Sequence, residues 1–301
     1  MKKPKVSVII PVYNRKKEIV PCLESVFRQN YENYEVIVVD GNSKDGTLEI
    51  LQKMGGGHKN LYVLVENERG IGAARNTGER AAKGDIIMMT DSDCIVPADW
   101  IGKMVREILK GECAIQGFQY SLNKNTWSRI SQRFINYLYT VIWMGSEYID
   151  FVDTKNFAIK KCVLAETGFS GRKIVIGNDF ELMIRLKQRG CKVKFSKDIR
   201  VGHIHADSLI KVFRKEFGYG FWAAKICAKY EKSLINNPHS HYNDFVLIRS
   251  KNLSWIFFDV IKRGLETGEK HSILDGIYNI ATCAGWRFGM WAGIRDKRIN
   301  I

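Results

Sequence analysis

No stretch of this chain reaches about 18 uninterrupted apolar residues, the length a membrane-crossing helix needs, so no membrane span is expected. The start, Met1-Lys-Lys-Pro-Lys followed by Val6 to Ile10, carries too short an apolar run for a signal peptide and reads as a first strand. The seven cysteines (22, 94, 113, 162, 191, 227 and 283) include no Cys-x-x-Cys pair, which argues against a zinc ribbon or a dithiol redox centre. Their odd number and wide scatter fit free thiols in a reducing cytosol. Repeats and low-complexity segments are also missing. With 45% hydrophobic and 26% charged residues, disorder, collagen and coiled coil are excluded as the main character. At 301 residues the chain is one large domain, or a domain with a substantial appendage, and can bury a core without disulfides.

Acidic side chains are scarce in one part only. Residues 1 to 100 hold 14 basic and 14 acidic groups, whereas residues 101 to 301 hold 33 basic and 18 acidic, which is the whole of the +15 excess. The asymmetry points to an anionic partner for the later part: nucleic acid, a phosphorylated substrate or a lipid headgroup surface.

The first third alternates β-rich apolar runs with helical segments: Val6 to Ile10, a helix near Lys17 to Gln29, Val36 to Val39, a helix from about Asp45 to Met54, strands at Leu61 to Glu66 and Asp85 to Thr90, and a helix from Gly72 to Ala82 between them. Strands apolar on both faces belong in a parallel sheet covered by helices, so the fold class is α/β. A strand at Ala114 to Gln119, an aromatic stretch from Trp127 to Phe151 and a helix from about Asp179 to Arg189 continue the pattern. After His203 the chain becomes helical, aromatic and basic over Leu209 to Tyr230, Leu253 to Leu265 and Ile273 to Ile294.

Open parallel sheets bind ligands beyond the carboxyl ends of their strands. Here those ends are Pro11-Val-Tyr-Asn, Asp40-Gly-Asn-Ser, Glu66-Asn-Glu-Arg and Asp91-Ser-Asp. The carboxylates of Asp91 and Asp93, one residue apart, suit a hard cation such as Mg2+ or Mn2+ that bridges to a diphosphate. Asp40 has no helix to cap and can accept from a base or ribose, Tyr13 offers a flat face for a nucleobase, and Asp45 reads as a helix cap. Gly70-x-Gly72-x-x-Arg75 lacks the third glycine of the dinucleotide fingerprint, which excludes a Rossmann dehydrogenase; Arg75 can reach a base or phosphate, or pair with a carboxylate. Asn178 and Glu181 fit a capping box, and Asp179 at the first helical position is expected to have its pKa lowered by the helix dipole. An ionised Asp179 at a pocket mouth suits a general base. His203 and His205 share a face if the segment is extended, and either can complete a metal site with the two Asp.

Val6-Ser-Val-Ile-Ile-Pro-Val-Tyr-Asn-Arg, the run from Gln29 to Thr47, Arg75-Asn-Thr-Gly, the run from Lys83 to Asp93, and Gly177-Asn-Asp-Phe-Glu-Leu together resemble the family 2 glycosyltransferases of GT-A fold, over roughly residues 4 to 220. The resemblance implies a Rossmann-like, mostly parallel central sheet and an inverting transfer of a sugar from a nucleotide sugar with Mn2+ or Mg2+. It makes Pro11, Tyr13, Asp40, Arg75, Asp91 and Ser92 nucleotide contacts, puts Asp91 and Asp93 at the diphosphate and metal, and makes Asp179 the catalytic base. Asn156, Asn178 and Glu181 fall in the sugar and acceptor pocket. The family often has Asp-Asp-Gly-Ser where this chain has Asp40-Gly-Asn-Ser43, and Glu-Asp where it has Asn178-Asp179.

On this reading residues 1–205 form the catalytic domain, with nucleotide sugar bound by about 1–112 and acceptor by about 113–205, and residues 206–301 form a helical basic region. The Gln-x-x-Arg-Trp signature of processive synthases is absent, which favours one sugar per encounter. A UDP-sugar donor, a lipid-linked or cell-surface glycan acceptor, and a cytoplasmic protein peripheral on an anionic membrane are expected, with no nucleic acid partner. The other readings are a sugar-nucleotide nucleotidyltransferase, which would carry an early Gly-rich loop absent here, and a basic nucleic-acid-binding protein. Neither accounts for Asp91-Ser-Asp93 and Gly177-Asn-Asp together.

Overall fold

The computed structural model describes residues 3–137, 139, 146–169, 171, 173–235 and 273–296. They form two compact units, one of Met1–Tyr120 with Glu147–His203 and one of Ser121–Ser146 with Ile204–Ile301. The division differs from the 1–205 and 206–301 partition in assigning the segment 121–146 to the C-terminal unit. Side-chain chemistry explains the assignment: Arg133 makes a two-pronged ion pair with buried Asp275, through Nε to Oδ1 at 2.8 Å and Nη2 to Oδ2 at 2.7 Å.

In the first unit the βαβα rhythm appears as β1 (Val6–Val12), α1 (Ile19–Phe27), β2 (Tyr34–Asp40), α2 (Thr47–Gly55), β3 (Leu61–Val65), α3 (Ile71–Ala81) and β4 (Ile86–Met89). Then follow β5 (Cys94–Ile95), α4 (Trp100–Leu109), β6 (Ala114–Ser121), β7 (Tyr148–Ile149), β8 (Phe157–Lys160), α6 (Lys161–Thr167), α7 (Asn178–Gln188) and β9 (Val193–His203). In the second unit α5 (Thr126–Tyr137), α8 (Leu209–Ile235) and α9 (Ile273–Arg295) are helical. The helix expected over Leu253 to Leu265 lies outside the described residues, as does Trp143. Trp127 packs beside the buried cluster of Ile130, Val212 and Tyr278.

The strands join one sheet in the order β3-β2-β1-β4-β8-β6-β9-β5, with β7 on β9. The first four are parallel, and β8 turns antiparallel to β4 and β6. Every residue of β1 and β4 is buried, as the uninterrupted apolar runs required. Val8, Ile10, Val36, Val38 and Met88 share one core with Leu23 of α1 and with Trp100 and Met104 of α4. Each such aliphatic side chain contributes roughly 1.5–3 kcal/mol by leaving water.

The chain returns from β2 to the outer edge strand β3, then crosses back through α3 to β4 on the other side of β1. That reversal opens a crevice at the carboxyl ends of β1, β2 and β4, where a ligand can sit. Gly78 allows α3 to lie close on this part of the sheet, because a Cβ there would stand 2.5 Å from Ile9 Cγ2. The close approach carries Arg75, one helical turn earlier, toward the strand ends.

Candidate active site

The loops after β1 and β2 are laced together. Asn14, at φ 51°, receives the Lys44 N–H on its Oδ1 at 2.8 Å and donates its own N–H to Ser43 Oγ at 2.9 Å. Asp45 accepts from the N–H groups of Thr47 at 3.0 Å and Lys16 at 3.1 Å, so it fastens the start of α2 and the facing loop. These ties hold Pro11 buried in β1 and leave the Tyr13 ring exposed beside Gly41. Asp40 closes β2 opposite Val12, fully buried; its Oδ1 takes the Ser43 N–H at 2.7 Å, and its Oδ2 has no partner among the described residues. A buried carboxylate oxygen without a donor is costly unless a ligand supplies one.

Arg75 joins the distant parts of the site. Its guanidinium, 2% exposed, donates from Nη2 to Asp91 Oδ1 at 2.7 Å, and from Nη1 to Asn178 Oδ1 at 2.9 Å and Asp179 Oδ1 at 2.8 Å. The Phe169 ring lies 5.9 Å from its Cζ. Burial works against the charged guanidinium, but Asp179 and then Asp91 outweigh it, so its pKa moves up. Sequence reading placed Arg75 at the nucleotide or on a carboxylate; the structure gives it two carboxylates and an amide, the arrangement for which a planar fork of donors is suited.

Asp179 also accepts from Thr154 Oγ1 at 2.8 Å, again on Oδ1. Its pKa is raised, contrary to the lowering expected from the helix dipole, because burial raises it more than Arg75 lowers it, with Asp153 adding repulsion. The capping-box reading is also corrected. The N-cap of α7 is Gly177 at φ 82°, and Glu181 instead accepts the Gly171 N–H at 2.6 Å and pairs with Arg185 at 2.9 Å. Glu181 is fully buried and ties the loop ahead of α7 to the helix. Asn178 is the first helical residue; its Nδ2 is buried with no partner among the described residues.

Asn156 was expected in the sugar pocket, but its side chain is spent on the scaffold. Nδ2 donates to Phe118 O and Ile199 O, both at 2.8 Å, and Oδ1 accepts from Trp100 Nε1 at 2.8 Å. It fastens β6, β9 and α4 together beneath the site.

Asp91, Ser92 and Asp93 fill the turn between β4 and β5, where Ser92 is buried. β5 pairs with β9 so that Cys94 faces His203, which brings His203 Nε2 to 3.6 Å from Asp93 Oδ1. Arg15 Nη2 stands 3.7 Å from Asp93 Oδ2. Burial, followed by repulsion from Asp91, pushes the Asp93 pKa up to about 6. β9 ends at His203, so strand alternation does not extend to His205; that residue belongs to the second unit, where its N–H donates to Asn123 Oδ1 and its carbonyl accepts from Asn123 Nδ2, both at 2.9 Å. The sequence assigns no role to Arg15, whereas Thr154 and Lys155 lie in the stretch Asp153 to Lys160, which resembles the glycosyltransferase segment ahead of the base that helps form the sugar and acceptor pocket. Thr154 and Lys155 sit in a short 3-10 turn at Thr154–Asn156, entered through Asp153, whose Oδ1 pairs with Lys155 Nζ at 2.7 Å.

Residues 7–171 match the family model described as Glycosyl transferase family 2. Glycosyltransferase AglE of Haloferax volcanii is 30% identical over 220 residues, 72% of this chain and 72% of that protein. A Methanococcus voltae protein, named as a dolichyl N-acetyl-alpha-D-glucosaminyl phosphate 3-beta-D-2,3-diacetamido-2,3-dideoxy-beta-D-glucuronosyltransferase, is 26% identical over 236 residues, 71% of each chain. Among solved structures, the mannosyltransferase PcManGT from Pyrobaculum calidifontis, in complex with GDP-Man and Mn2+, matches with a TM-score of 0.71 at 19% identity, covering 99% of this chain and 89% of that one.

Proposed function

Because the chain belongs to glycosyl transferase family 2 and has the GT-A fold of a glycosyltransferase, we propose that it moves one sugar per encounter from a UDP-sugar to a hydroxyl of a lipid-linked or cell-surface glycan, with inversion. The observation that carries this reading is the single buried guanidinium of Arg75 joining Asp91, at the end of β4, to Asp179, at the start of α7. It unites a nucleotide-diphosphate end and a proton-accepting end in one site.

In the reaction the acceptor oxygen attacks the anomeric carbon from the side opposite the diphosphate. The bond from that carbon to the diphosphate oxygen breaks, and the nucleoside diphosphate leaves with the electron pair through an oxocarbenium-like state. Asp179 takes the hydroxyl proton. With Oδ1 held by Arg75 and Thr154, Oδ2 is the oxygen that receives it. A single displacement inverts the centre.

The donor set suits Mn2+ or Mg2+: Asp91 and Asp93 supply hard oxygens and His203 an imidazole nitrogen beside Asp93. The repulsion from Asp91 that helps raise Asp93 is what a bound cation relieves. Among the described residues no three His, Cys, Asp or Glu side chains close into a metal cage, so a cation held by Asp91 and Asp93 would need further ligands from beyond these side chains. When bound, the cation neutralises charge on the leaving diphosphate. The Mn2+ in the Pyrobaculum structure supports this assignment.

That structure also holds GDP-Man; the preference for UDP here rests on Asp40. One of its oxygens is occupied by Ser43 and the other is without a donor. One open acceptor matches the single imide N–H of uracil, whereas the guanine edge presents adjacent donors that ask for both oxygens. Asp40→Asn is expected to weaken UDP binding by about 1.5–3 kcal/mol, roughly ten- to hundred-fold in Kd, the range for a hydrogen bond to a charged group. Titration calorimetry with UDP, GDP and dTDP, with and without Mn2+, measures this. Absence of metal-dependent binding of any of them would overturn the reading.

A lipid-linked acceptor is favoured by the dolichyl phosphate in the name of the Methanococcus relative and by the basic excess of residues 101 to 301. It would be met by a protein lying peripherally on the cytoplasmic face of a membrane. No helix among the described residues is long and apolar enough to cross one.

A base must be ionised to work, and the Asp179 pKa is raised above its ordinary value. The acid limb of the kcat profile is therefore expected above the usual Asp range near 3.9, with activity rising as pH passes through the raised value. An acid limb at or below the ordinary Asp pKa would contradict the assignment.

A further inference from the structure

Beside the buried Tyr278, Cys283 and Trp286, the C-terminal helix α9 buries polar residues and exposes a row of large apolar ones. Its buried positions include Asp275, Asn279 and Thr282, at 2%, 6% and 2% exposure. Its exposed positions are Leu274, Ile277, Ile280, Phe288, Trp291 and Ile294, together with Arg295. Phe288, Trp291 and Ile294 are 59%, 55% and 70% exposed. A water-facing helix places its apolar stripe on the protein and its polar residues outside.

The inward side combines the buried rings of Tyr278 and Trp286 with close backbone packing. Gly285, Gly289 and Gly293 recur every fourth residue, and a Cβ on each would run into the main-chain oxygens of Phe213, Phe217 and Phe221 of α8. Gly220 of α8 meets the Trp286 carbonyl in the same way. Small residues at four-residue spacing that let two helix backbones touch are how helices pair when lipid surrounds them. Around this close contact Trp286 is buried, the Phe288 ring lies 6.4 Å from that of Phe213 of α8 while staying mostly exposed, and Trp291 and Ile294 face outward.

The exposed charges complete the pattern. Along α8 as far as Tyr230 they are Lys211, Arg214, Lys215 and Lys229, with no exposed acid in that stretch of the helix. On α9 the Arg295 guanidinium carbon lies 4.0 Å from the Trp291 ring centroid. An aromatic ring under a basic head, beside aliphatic residues, is the composition of a helix lying in the boundary between headgroups and acyl chains.

We propose that the face of α9 bearing Phe288, Trp291 and Ile294 inserts into the headgroup layer of an anionic bilayer. The proposal rests on the lipid-linked acceptor reading above, and gives it a physical surface. The basic surface selects the lipid charge and the exposed apolar residues supply the anchorage.

The test uses the full chain with sedimenting vesicles of phosphatidylcholine alone or mixed with phosphatidylglycerol. Wild type is expected to pellet with the mixed vesicles at low salt and much less with phosphatidylcholine. The combined Phe288→Ser, Trp291→Ser and Ile294→Ser variant is expected to lose binding at least about ten-fold. A Phe288→Leu, Trp291→Phe and Ile294→Leu variant should retain most of it, since it keeps apolar area. Arg214→Glu with Lys215→Glu should lower binding to the mixed vesicles alone. Circular dichroism and UDP affinity should match wild type in every variant. Equal binding by wild type and the serine variant would overturn the proposal, as would no vesicle binding, or a wild-type dimer in light scattering that the serine variant turns into a monomer, because the face would then belong to a second copy. If wild type docks on vesicles yet binds no nucleoside diphosphate with Mn2+, the transferase reading fails and the docking stands.

Discussion

Asp179→Asn is expected to lower kcat by about 10²–10⁴-fold, the range that a positioned general base contributes, while UDP affinity stays at the wild-type value. The expectation follows from what asparagine keeps and what it loses. Its carbonyl oxygen still accepts from Arg75 Nη1 and Thr154 Oγ1, as Oδ1 does now, so the geometry at the start of α7 survives. The other terminal atom becomes an amide nitrogen, which cannot take a proton from an attacking hydroxyl. Steady-state kinetics with saturating donor, together with calorimetry, separates the two quantities. A variant with near wild-type kcat would remove Asp179 from the role of base.

The second large effect is expected from Arg75→Leu. The substitution leaves Asp91 and Asp179 facing one another across a site from which their shared cation has gone. Removing one partner from a buried ion pair costs about 3–5 kcal/mol, and for a domain of 150 to 250 residues this corresponds to a Tm lower by roughly 6–20 °C. Arg75→Lys should recover part of the loss, because a point charge cannot reproduce hydrogen bonds to Asp91, Asn178 and Asp179 together. Thermal unfolding alongside nucleotide titration decides between two roles. A nucleotide contact would lose affinity with the Tm intact, whereas a cation that builds the site loses stability first. Loss of affinity alone would return Arg75 to the role that its helix position first suggested.

Elements set by local pattern were legible in the sequence. Uninterrupted apolar runs announced β1, β2 and β4, and the helix expected at Gly72 to Ala82 is α3 at Ile71–Ala81. Asp40, Asp91 and Asp93 could be picked out because strand ends are where such sheets bind ligands. What could not be read were partnerships across the chain. Arg75 meets Asn178 and Asp179 at separations of 103 and 104 residues, and no local pattern carries that information. Glu181 looked like a cap because its spacing from Asn178 is right, but its carboxylate turns to Gly171 and Arg185 instead. Asn156 was assigned to the pocket by the resemblance of its stretch to the family's, yet its side chain makes three scaffold bonds. The Asp179 shift was read with the wrong sign for a similar reason, since the helix dipole is visible in a sequence and burial by distant segments is not.

The bonds from Arg75 to α7 also bear on how the protein is made. Domains generally fold as units, N-terminal first, during synthesis. A nascent chain that has emerged only as far as β8 has the strands that form the crevice and has Arg75 with one of its two anions. The second arrives on α7, after Asn178 and Asp179 leave the ribosome. Contacts of such long sequence separation form late, because the entropy of closing the loop must be met before they contribute. Until then the guanidinium lacks its acceptors on Asn178 and Asp179, and the crevice lacks the side that α7 supplies. The last-made parts of the catalytic unit therefore complete both its base and the stability of its donor side, so a stalled or truncated product does not present a finished nucleotide site.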